Sequence, residues 1–359
     1  MTLPILHLSG PPYQQGLQHG QQLKERIAHN IQVYFERFEH EARLSRQEVL
    51  ARASGYGDAM AAQSPDYVAG VRGIAEGGGF ALDELLALNV RYEILYYQFT
   101  VNAMADGCTS FAVLPAATAN GHLLMGQNWD WIPQVQGAVQ HTMEPDGMET
   151  LSFTEAGIVG GKIGLNAEGV GLAVNGLHTT GDDWSRLSKP FHVRCYEILR
   201  SRDLESALQV VAGTGRACST NYLIAQAPDQ VTDLEAAPDQ VRRLTCEDDC
   251  LVHTNHFLDP SALGVVEPPR PRWSSTYHRL ARLRSLLTAG FPLSVQAIQD
   301  GLRDHQAYPD SVCCHEDPDL PPGLRYCTVT SAVMDLAARE LFVSDGPPCQ
   351  SEYQRLALT

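Results

Sequence analysis

A cysteine that directly follows a glycine, at the start of a strand-like run, is the residue of this sequence best suited to chemistry. It is Cys108, in the segment Asp106-Gly107-Cys108-Thr109-Ser110. A thiolate at this position closes a five-membered ring when it attacks the preceding carbonyl carbon, and glycine tolerates the strained backbone that the attack requires. The thioester formed in this way hydrolyses, so the segment predicts self-cleavage between Gly107 and Cys108.

The predicted cut creates a second catalytic group on the same residue. It leaves one chain of 107 residues and another of the remaining 252 of 359, which begins with the free α-amine of Cys108. An α-amine has a reference pKa of ~7.7–8.0, whereas a peptide nitrogen has no comparable basicity. Cys108 would then supply both the nucleophile and the base.

A zinc site is an alternative use of cysteine and histidine in this chain. Cys246, Cys250, His253 and His256 follow a C-x3-C-x2-H-x2-H spacing. Structural zinc ligands more often come as two pairs separated by a longer loop, and this run is compressed. The sequence analysis therefore favours a protein without a metal and keeps a zinc-structured protein as a lesser alternative.

The elements that must position Cys108 alternate between helices and short strands. Leu23, Ile27 and Ile31 lie at helical spacing, and similar patterns predict helices over 11–40, 47–63, 66–76, 82–98, 190–199, 203–213, 274–288 and 294–304. The turn Asn120-Gly121 predicts a hairpin of strands 108–114 and 122–130. Further strands are predicted over 148–154, 158–166, 169–177, 219–225, 231–236, 240–244, 251–254, 327–335 and 340–343.

This order of elements predicts an α+β fold, a four-layer αββα sandwich with two sheets packed face to face and helices outside. The predicted division is a mostly helical segment 1–107 and a segment 108–359, which together form one domain. No repeat interrupts the pattern.

Composition limits the partners and the compartment. Hydrophobic residues make up 44% of the chain, and 26 basic against 42 acidic side chains give a formal net charge of −16, which repels nucleic acid and anionic membranes. The N-terminus shows no export signal, so we expect a cytoplasmic protein. Nine cysteines without such a signal are expected to be thiols, and the adjacent Cys313 and Cys314 are interpreted as buried thiols rather than a redox or metal feature.

Several segments, in order, resemble the acyl-coenzyme A:isopenicillin N acyltransferase family of self-processing cysteine hydrolases with an N-terminal nucleophile. The resemblance implies the αββα fold, autoproteolysis before the cysteine, no metal, and transfer or hydrolysis of acyl groups on amides. It rests on Asp106–Ser110, Gly126–Trp131 and His253–His256, and also on Gly10–Tyr13, Gly16, His19-Gly20, Arg72–Glu76, Thr154–Ile158 and Gly346–Pro348.

The resemblance also assigns roles to residues other than Cys108. It makes Asp130 the carboxylate that orients the new ammonium group, and the predicted hairpin independently places Asp130 on the strand beside Cys108. Asn255 corresponds to the asparagine that stabilises the oxyanion of the tetrahedral intermediate. Asn175 is a second amide candidate for the site.

One position departs from the family pattern. The penicillin-forming enzymes have an arginine after a late Ser-aliphatic-Cys motif, whereas this chain has Cys314 there. A cation that could hold a substrate carboxylate is missing at that point, with Arg303 and Arg325 as possible substitutes. Trp129 and Trp131 are candidates for lining the acyl pocket beside Cys314.

These observations predict a cysteine amidohydrolase or acyltransferase, activated by cleavage at Gly107–Cys108, that forms its acyl-enzyme on Cys108. The expected substrate is a small-molecule amide or thioester, no cofactor is expected, and acyl-coenzyme A is an alternative acyl donor. The cleaved chains are expected to remain associated, and neither nucleic acid nor membrane is an expected partner. The alternative from another class is an uncleaved binding protein or pseudoenzyme.

Overall fold

Two sheets and the helices on their outer faces organise the chain. The structure is a computed structural model that describes residues 3–96, 107–269 and 275–358. In chain order its elements are β1 (Ile5–Ser9), α1 (Pro12–Gln22), α2 (Lys24–His40), α3 (Arg46–Gln63), α4 (Pro65–Gly78), α5 (Leu82–Asn89), α6 (Arg91–Tyr96), β2 (Thr109–Val113), β3 (Leu124–Trp131), β4 (Gly137–Met143), β5 (Glu149–Glu155), β6 (Ile163–Asn166), β7 (Val170–Gly176), α7 (Phe191–Ile198), α8 (Leu204–Ala212), β8 (Thr220–Gln226), β9 (Gln230–Ala236), β10 (Val241–Leu244), β11 (Cys250–His253), α9 (Pro260–Leu263), α10 (Ser275–Thr288), α11 (Val295–Leu302), β12 (Cys327–Asp335), β13 (Glu340–Val343) and β14 (Gln354–Ala357).

The strands form two sheets within the described residues. One sheet has eight strands in the order β1-β4-β5-β6-β7-β8-β9-β10, and the other has six in the order β11-β2-β3-β12-β13-β14. Neighbouring strands are antiparallel except for β1 and β4, which are parallel. Because β1 comes from the N-terminal segment, that segment contributes a strand as well as helices.

Side chains of the six-stranded sheet alternate between two hydrophobic layers. Phe111 and Val113 of β2 face outward and pack in one buried cluster with Leu283 of α10 and Leu302 of α11. Ala112 lies between them in sequence and points the other way, into the central core. This two-residue period is the expected consequence of the pleat, and it gives each face of the sheet its own layer.

The central layer is the interface between the two sheets. A Cβ atom added to Gly171 of β7 would lie only 2.6 Å from Sδ of Met125 in β3, so the absence of a side chain lets the sheets approach. On the far side of the eight-stranded sheet, α8 packs against β8 and β9 and buries Leu208 and Val211. The order helix, sheet, sheet, helix makes this an α+β fold, a four-layer αββα sandwich.

Glycines allow α1 and α4 to pack backbone against backbone. A Cβ on Gly16 would lie 2.2 Å from the carbonyl oxygen of Gly70, and a Cβ on Gly73 would lie 2.2 Å from the carbonyl oxygen of Tyr13. Real Cβ atoms do not make such contacts, so larger residues at these positions would push the helices apart. This close crossing accounts for Gly16 in the N-terminal motif.

The structure confirms the hairpin predicted around Asn120-Gly121, in which Thr109 lies opposite Asn128. It differs from the predictions at two helices that are interrupted and at strands whose pairing partners are distant in the sequence. The predicted helix 11–40 is interrupted at Leu23, and the helix 82–98 is interrupted at Val90, while its predicted end lies outside the described residues.

Strands β1, β4 and β14 are absent from the predictions. Strand β4 is difficult to recognise from the sequence because Gln140 and Thr142 are polar yet buried in the sheet. The expected alternation of apolar and polar residues is therefore missing. Strand β1 is stabilised by a parallel partner more than a hundred residues away, which no local pattern reveals. Among the described helices, none is both long and apolar enough to cross a bilayer.

Candidate functional site

Cys108 lies immediately before β2 at the wall of an internal cavity. Its side chain is buried, with 4% of the residue exposed. The cavity is small, with a volume of about 20 Å³, and Cys108 lines it together with Trp129, Trp131, Lys162 and Asn175. The structure therefore brings the predicted nucleophile, both predicted pocket tryptophans and one amide candidate to a single space.

Asp130 lies against the backbone on the amino side of Cys108. Continuing the β2–β3 register by two residues puts Gly107 opposite Asp130. A Cβ added to Gly107 would lie 2.5 Å from Oδ2 of Asp130, so only glycine fits there without displacing the carboxylate. The side chain of Asp130 thus reaches the peptide on which the predicted cleavage falls, while Cys108 itself lines the cavity.

A hydroxyl holds the carboxylate of Asp130 in place. Thr328 Oγ1 donates to Asp130 Oδ1 at 2.6 Å and accepts from the backbone N–H of Cys314 at 2.9 Å. Burial and the negative charge of Asp130 raise the pKa of the Cys314 thiol well above its usual range, so this thiol stays protonated. Cys314 is not among the residues that line the cavity of Cys108, and its predicted contact with substrate stays a prediction.

Arg279 is a buried residue of the site that sequence reasoning missed. Its Nη1 donates to the carbonyl oxygen of Cys108 at 2.7 Å and to Thr109 Oγ1 at 2.8 Å. Its Nη2 donates to Oδ1 of Asn255 at 3.0 Å. The available signal was an arginine on the buried face of the amphipathic helix α10, but the pattern gave no indication of what it contacts.

The two predicted asparagines occupy different positions. Because arginine only donates, its bond to Asn255 fixes Oδ1 toward Arg279 and leaves the Nδ2 group directed at Gly176, whose carbonyl oxygen is 3.1 Å away. Gly176 lines the cavity, whereas Asn255 is not among the lining residues and is joined to them through this hydrogen bond. Asn175 lines the cavity and joins the sheets, since its Oδ1 accepts from Ser110 Oγ at 2.6 Å.

A buried charge cluster also borders the cavity, and no sequence pattern predicted it. The carboxylate of Glu155 pairs with both Arg91 and Lys162, and Arg91 and Lys162 also line the cavity. Burial lowers the pKa of Lys162 to about 7, while Glu155 and, more weakly, Cys108 act in the opposite direction. The ammonium group lies 3.0 Å from the centroid of the Trp129 ring. An isolated lysine after two glycines was the available signal.

The arginines considered as substitutes at the pocket point elsewhere. Arg303 donates to the carbonyl oxygen of Pro348 at 2.9 Å, and Arg325 donates to the carbonyl oxygen of Leu320 at 2.8 Å. Neither lines the cavity of Cys108. The cations near the thiol are instead Arg91 and Lys162.

The cysteines and histidines of the C-x3-C-x2-H-x2-H run do not converge. Cys250 belongs to the outer hydrophobic cluster, whereas His253, three residues later in the same strand, faces the other sheet and lies 3.1 Å from Oε1 of Glu235. Residues three apart in a strand point to opposite faces, which explains the separation. The zinc arrangement considered for this run is therefore not formed.

The geometry defines a class of site: a buried cysteine at the start of a strand of an αββα sandwich, with a carboxylate at the preceding peptide. The sequence comparisons then identify the family. Residues 116–340 match the family model described as acyl-coenzyme A:6-aminopenicillanic acid acyl-transferase, and the chain belongs to this family. The matched range begins after Cys108 and includes Asp130, Asn175, Asn255 and Arg279.

The chain is also similar to individual proteins. The chain is 29% identical over 352 residues to the acyl-coenzyme A:6-aminopenicillanic-acid-acyltransferase 40 kDa form of Emericella nidulans, covering 96% of this chain and 93% of the relative. Among solved structures, an N-acylethanolamine-hydrolyzing acid amidase ortholog from Caenorhabditis elegans matches with a TM-score of 0.48 and 13% identity, over 70% of this chain and all of that one. Penicillin V acylase from Agrobacterium tumefaciens matches with a TM-score of 0.44 and 14% identity, over 66% and 83% of the two chains.

Proposed function

We propose that this protein is a cysteine amidohydrolase or acyltransferase that activates itself by cleavage between Gly107 and Cys108. The observation that carries the proposal is the position of Cys108, which lines the cavity while the preceding glycine packs against Asp130. Membership of an acyltransferase family supports the same class of reaction.

In the proposed maturation, Sγ of Cys108 adds to the carbonyl carbon of Gly107, and the peptide nitrogen leaves as the α-amine of Cys108. Water then hydrolyses the thioester, which returns the thiol and leaves a carboxylate on Gly107. Arg279, which donates to the carbonyl oxygen of Cys108, holds the next peptide fixed during these steps. Asp130 stabilises the new ammonium group on the peptide side.

In the proposed catalytic cycle, the α-amine accepts the thiol proton and the thiolate adds to the carbonyl carbon of the substrate. Asn255 donates from Nδ2 to the oxyanion, with Arg279 fixing the orientation of its amide. The leaving amine takes the proton from the α-ammonium, and an acyl-enzyme remains on Cys108. Water or an acceptor amine then attacks this thioester, with the α-amine again as base.

The walls of the cavity indicate an apolar acyl group. Trp129, Trp131 and Phe191 supply aromatic surface beside the thiol. The cations at the cavity are already engaged by Glu155, so they do not provide a free site for a substrate carboxylate. We therefore favour hydrolysis of an acyl amide and keep transfer from acyl-coenzyme A as the alternative.

The fragments 1–107 and 108–359 are proposed to remain associated after cleavage. Strand β1 of the first segment pairs with β4 of the second along five residues. Arg91 of the first segment is buried against Glu155 of the second, and separating them would expose an ion pair and a large apolar surface.

The test is the mass of the protein after incubation with a panel of acyl amides and acyl thioesters. An acyl adduct on the fragment that begins with Cys108, formed with amides, supports the hydrolase. An adduct formed with thioesters alone supports the acyl-coenzyme A alternative. A single uncut chain that takes no adduct would contradict the proposal and favour a non-catalytic binding protein.

Gly107→Ala is expected to slow self-cleavage by on the order of 100-fold, because the added Cβ displaces Asp130 from the reacting peptide, and misplacements of about 1 Å carry such costs. The measurement is the appearance of the two fragments on denaturing electrophoresis over time. Gly290→Ala is the matched control, since a Cβ there meets no atom within 4 Å. Equal cleavage rates in the two variants would contradict the assigned role of the Gly107–Asp130 contact.

A further inference from the structure

Two histidines and two cysteines converge at the surface beyond the end of α11. They are His305, Cys313, His315 and Cys349, and one nitrogen or sulfur atom from each lies within 4.8 Å of those of the others. We call them the four-ligand cluster. Of the part of the chain that the structure describes, this is the one group of such side chains that brings four metal-binding atoms together.

Four of the six ligand-to-ligand distances in the four-ligand cluster are close to the edges of a tetrahedral zinc site, and the two that join His305 to the sulfur atoms are within 4.8 Å. The Nε2 atoms of His305 and His315 are 3.1 Å apart, and the sulfur atoms of Cys313 and Cys349 are 3.6 Å apart. Nε2 of His315 lies 3.6 Å from Sγ of Cys313 and 3.3 Å from Sγ of Cys349. Zinc bonded to sulfur at ~2.3 Å and to nitrogen at ~2.0–2.1 Å requires edges of about 3.3–3.8 Å.

The backbone holds the ligands of the four-ligand cluster from two separate segments. In the first, the N–H of Cys313 donates to the carbonyl oxygen of Asp304 and the N–H of His315 donates to that of Pro309, both at 3.0 Å. In the second, the turn before Cys349 is fixed from outside when Arg303 donates to the carbonyl oxygen of Pro348 at 2.9 Å. Both segments are thus ordered by contacts of their own.

We propose that the four-ligand cluster binds one Zn²⁺ ion through two thiolates and two imidazoles. Two sulfur and two nitrogen ligands in tetrahedral arrangement are the set that structural zinc sites use. All four positions are filled by the protein, so the ion has a structural role.

A disulfide between Cys313 and Cys349 is the competing explanation. The sulfur atoms are 3.6 Å apart, beyond the ~2.05 Å of a bond. A disulfide also gives no reason for Nε2 atoms of two histidines to point at the same small space. The convergence of all four side chains therefore favours the metal.

The proposed ion lies near Asp130 in structure but outside the cavity of Cys108. None of the four ligands lines that cavity. Cys313 is followed by Cys314, whose N–H contacts the hydroxyl of Thr328 that in turn holds Asp130. The ion would anchor the loop from 305 to 315 and so support this chain of contacts. The proposed zinc site is independent of the proposed function, and its test does not require a measurement of enzymatic activity.

The test is elemental analysis of the full chain carrying Cys108→Ala, purified under reducing conditions without a chelator. We expect about one zinc per chain, and a Tm that falls by several degrees when a strong chelator removes the metal. His305→Ala and Cys349→Ser, which change exposed residues, should each lower the zinc content at least tenfold after dialysis. Cys246→Ser, a half-buried thiol outside the four-ligand cluster, is the matched control and should retain the metal.

Cobalt gives a second readout on the same protein. Co²⁺ added to the metal-free chain should produce the absorption of a tetrahedral thiolate complex, and Zn²⁺ should displace it. Zinc loss in Cys246→Ser equal to that in Cys349→Ser would overturn the assignment of the ligands. A metal-free Cys108→Ala chain with all four ligands intact that takes up neither ion, or one whose mass shows a Cys313–Cys349 disulfide under these conditions, would overturn the site itself.

Discussion

Replacing Cys108 with alanine is expected to yield a single uncut chain of 359 residues and to lower acyl transfer or hydrolysis by at least ~10⁴-fold. The thiol is both the group that would cut the chain and the group that would carry the acyl intermediate, so one substitution removes both steps. Electrophoresis reports the cleavage, and turnover of the amide identified with the substrate panel reports the activity.

Cys195→Ala is the control for this experiment. Cys195 is equally buried, but it lies in α7, and burial raises the pKa of its thiol above the usual range, so it is a poor nucleophile. Its loss should leave cleavage and activity within a few-fold of the wild type. If the Cys108→Ala chain were still cut at the same bond, the assigned nucleophile would be wrong.

Glu155→Gln is expected to lower the free energy of unfolding by about 3–5 kcal/mol, because it leaves Arg91 and Lys162 buried without their anion. The glutamate is fully buried and holds both cations, while Oε2 also accepts from Nε of Arg91 at 3.0 Å. Unfolding by denaturant is measured in chains that also carry Cys108→Ala. These chains are expected to stay uncut, so the variants are compared in the same covalent state.

The control is Glu168→Gln. Glu168 pairs with Arg202 at the surface, where both side chains are about half exposed, so its loss should change stability by less than about 1 kcal/mol. Equal effects of the two substitutions would show that the cluster around Glu155 contributes no more than a surface ion pair.

The pH dependence of the Glu155 contribution has a defined sign. Burial alone would raise the pKa of this carboxyl, but Arg91 and Lys162 outweigh it and hold the pKa well below the usual range. As the pH falls, the carboxyl of Glu155 is therefore protonated at a higher pH in the unfolded chain than in the folded chain. The stabilisation is complete above the unfolded-state pKa of ~4.3 and is lost as the pH falls below it, whereas Glu155→Gln should lack this dependence.

The sequence predicted best those features that depend on neighbours in the chain. Cys108 directly precedes β2 and Asp130 lies in β3, and these two strands are consecutive in the chain and pair with each other across the connection 114–123. Their register brings Gly107 opposite Asp130. Helices and most strands were likewise predicted from apolar periods of 3.6 and two residues, because burial of one face acts locally.

Arg279 illustrates what the sequence left undecided. It contacts the carbonyl oxygen of a residue 171 positions earlier, and its helix would show the same apolar stripe if it packed on another strand. The four-ligand cluster is similar. Cys313 is a buried free thiol, as the sequence predicted, but its sulfur atom lies 3.6 Å from that of Cys349, 36 residues away, and no local pattern indicated this contact.

The sequence by itself predicted the nucleophile, and it was sufficient for the strand pair beside Cys108 and the αββα class of the fold, since turn chemistry and periodic burial are properties of short segments. Tertiary structure alone decided which charges surround the thiol, how Asn255 is oriented and where four metal-binding side chains meet. The physical reason is that packing two sheets together brings into contact residues that are far apart in the sequence. Local patterns record that a side chain is buried, but they do not record which side chain it is buried against.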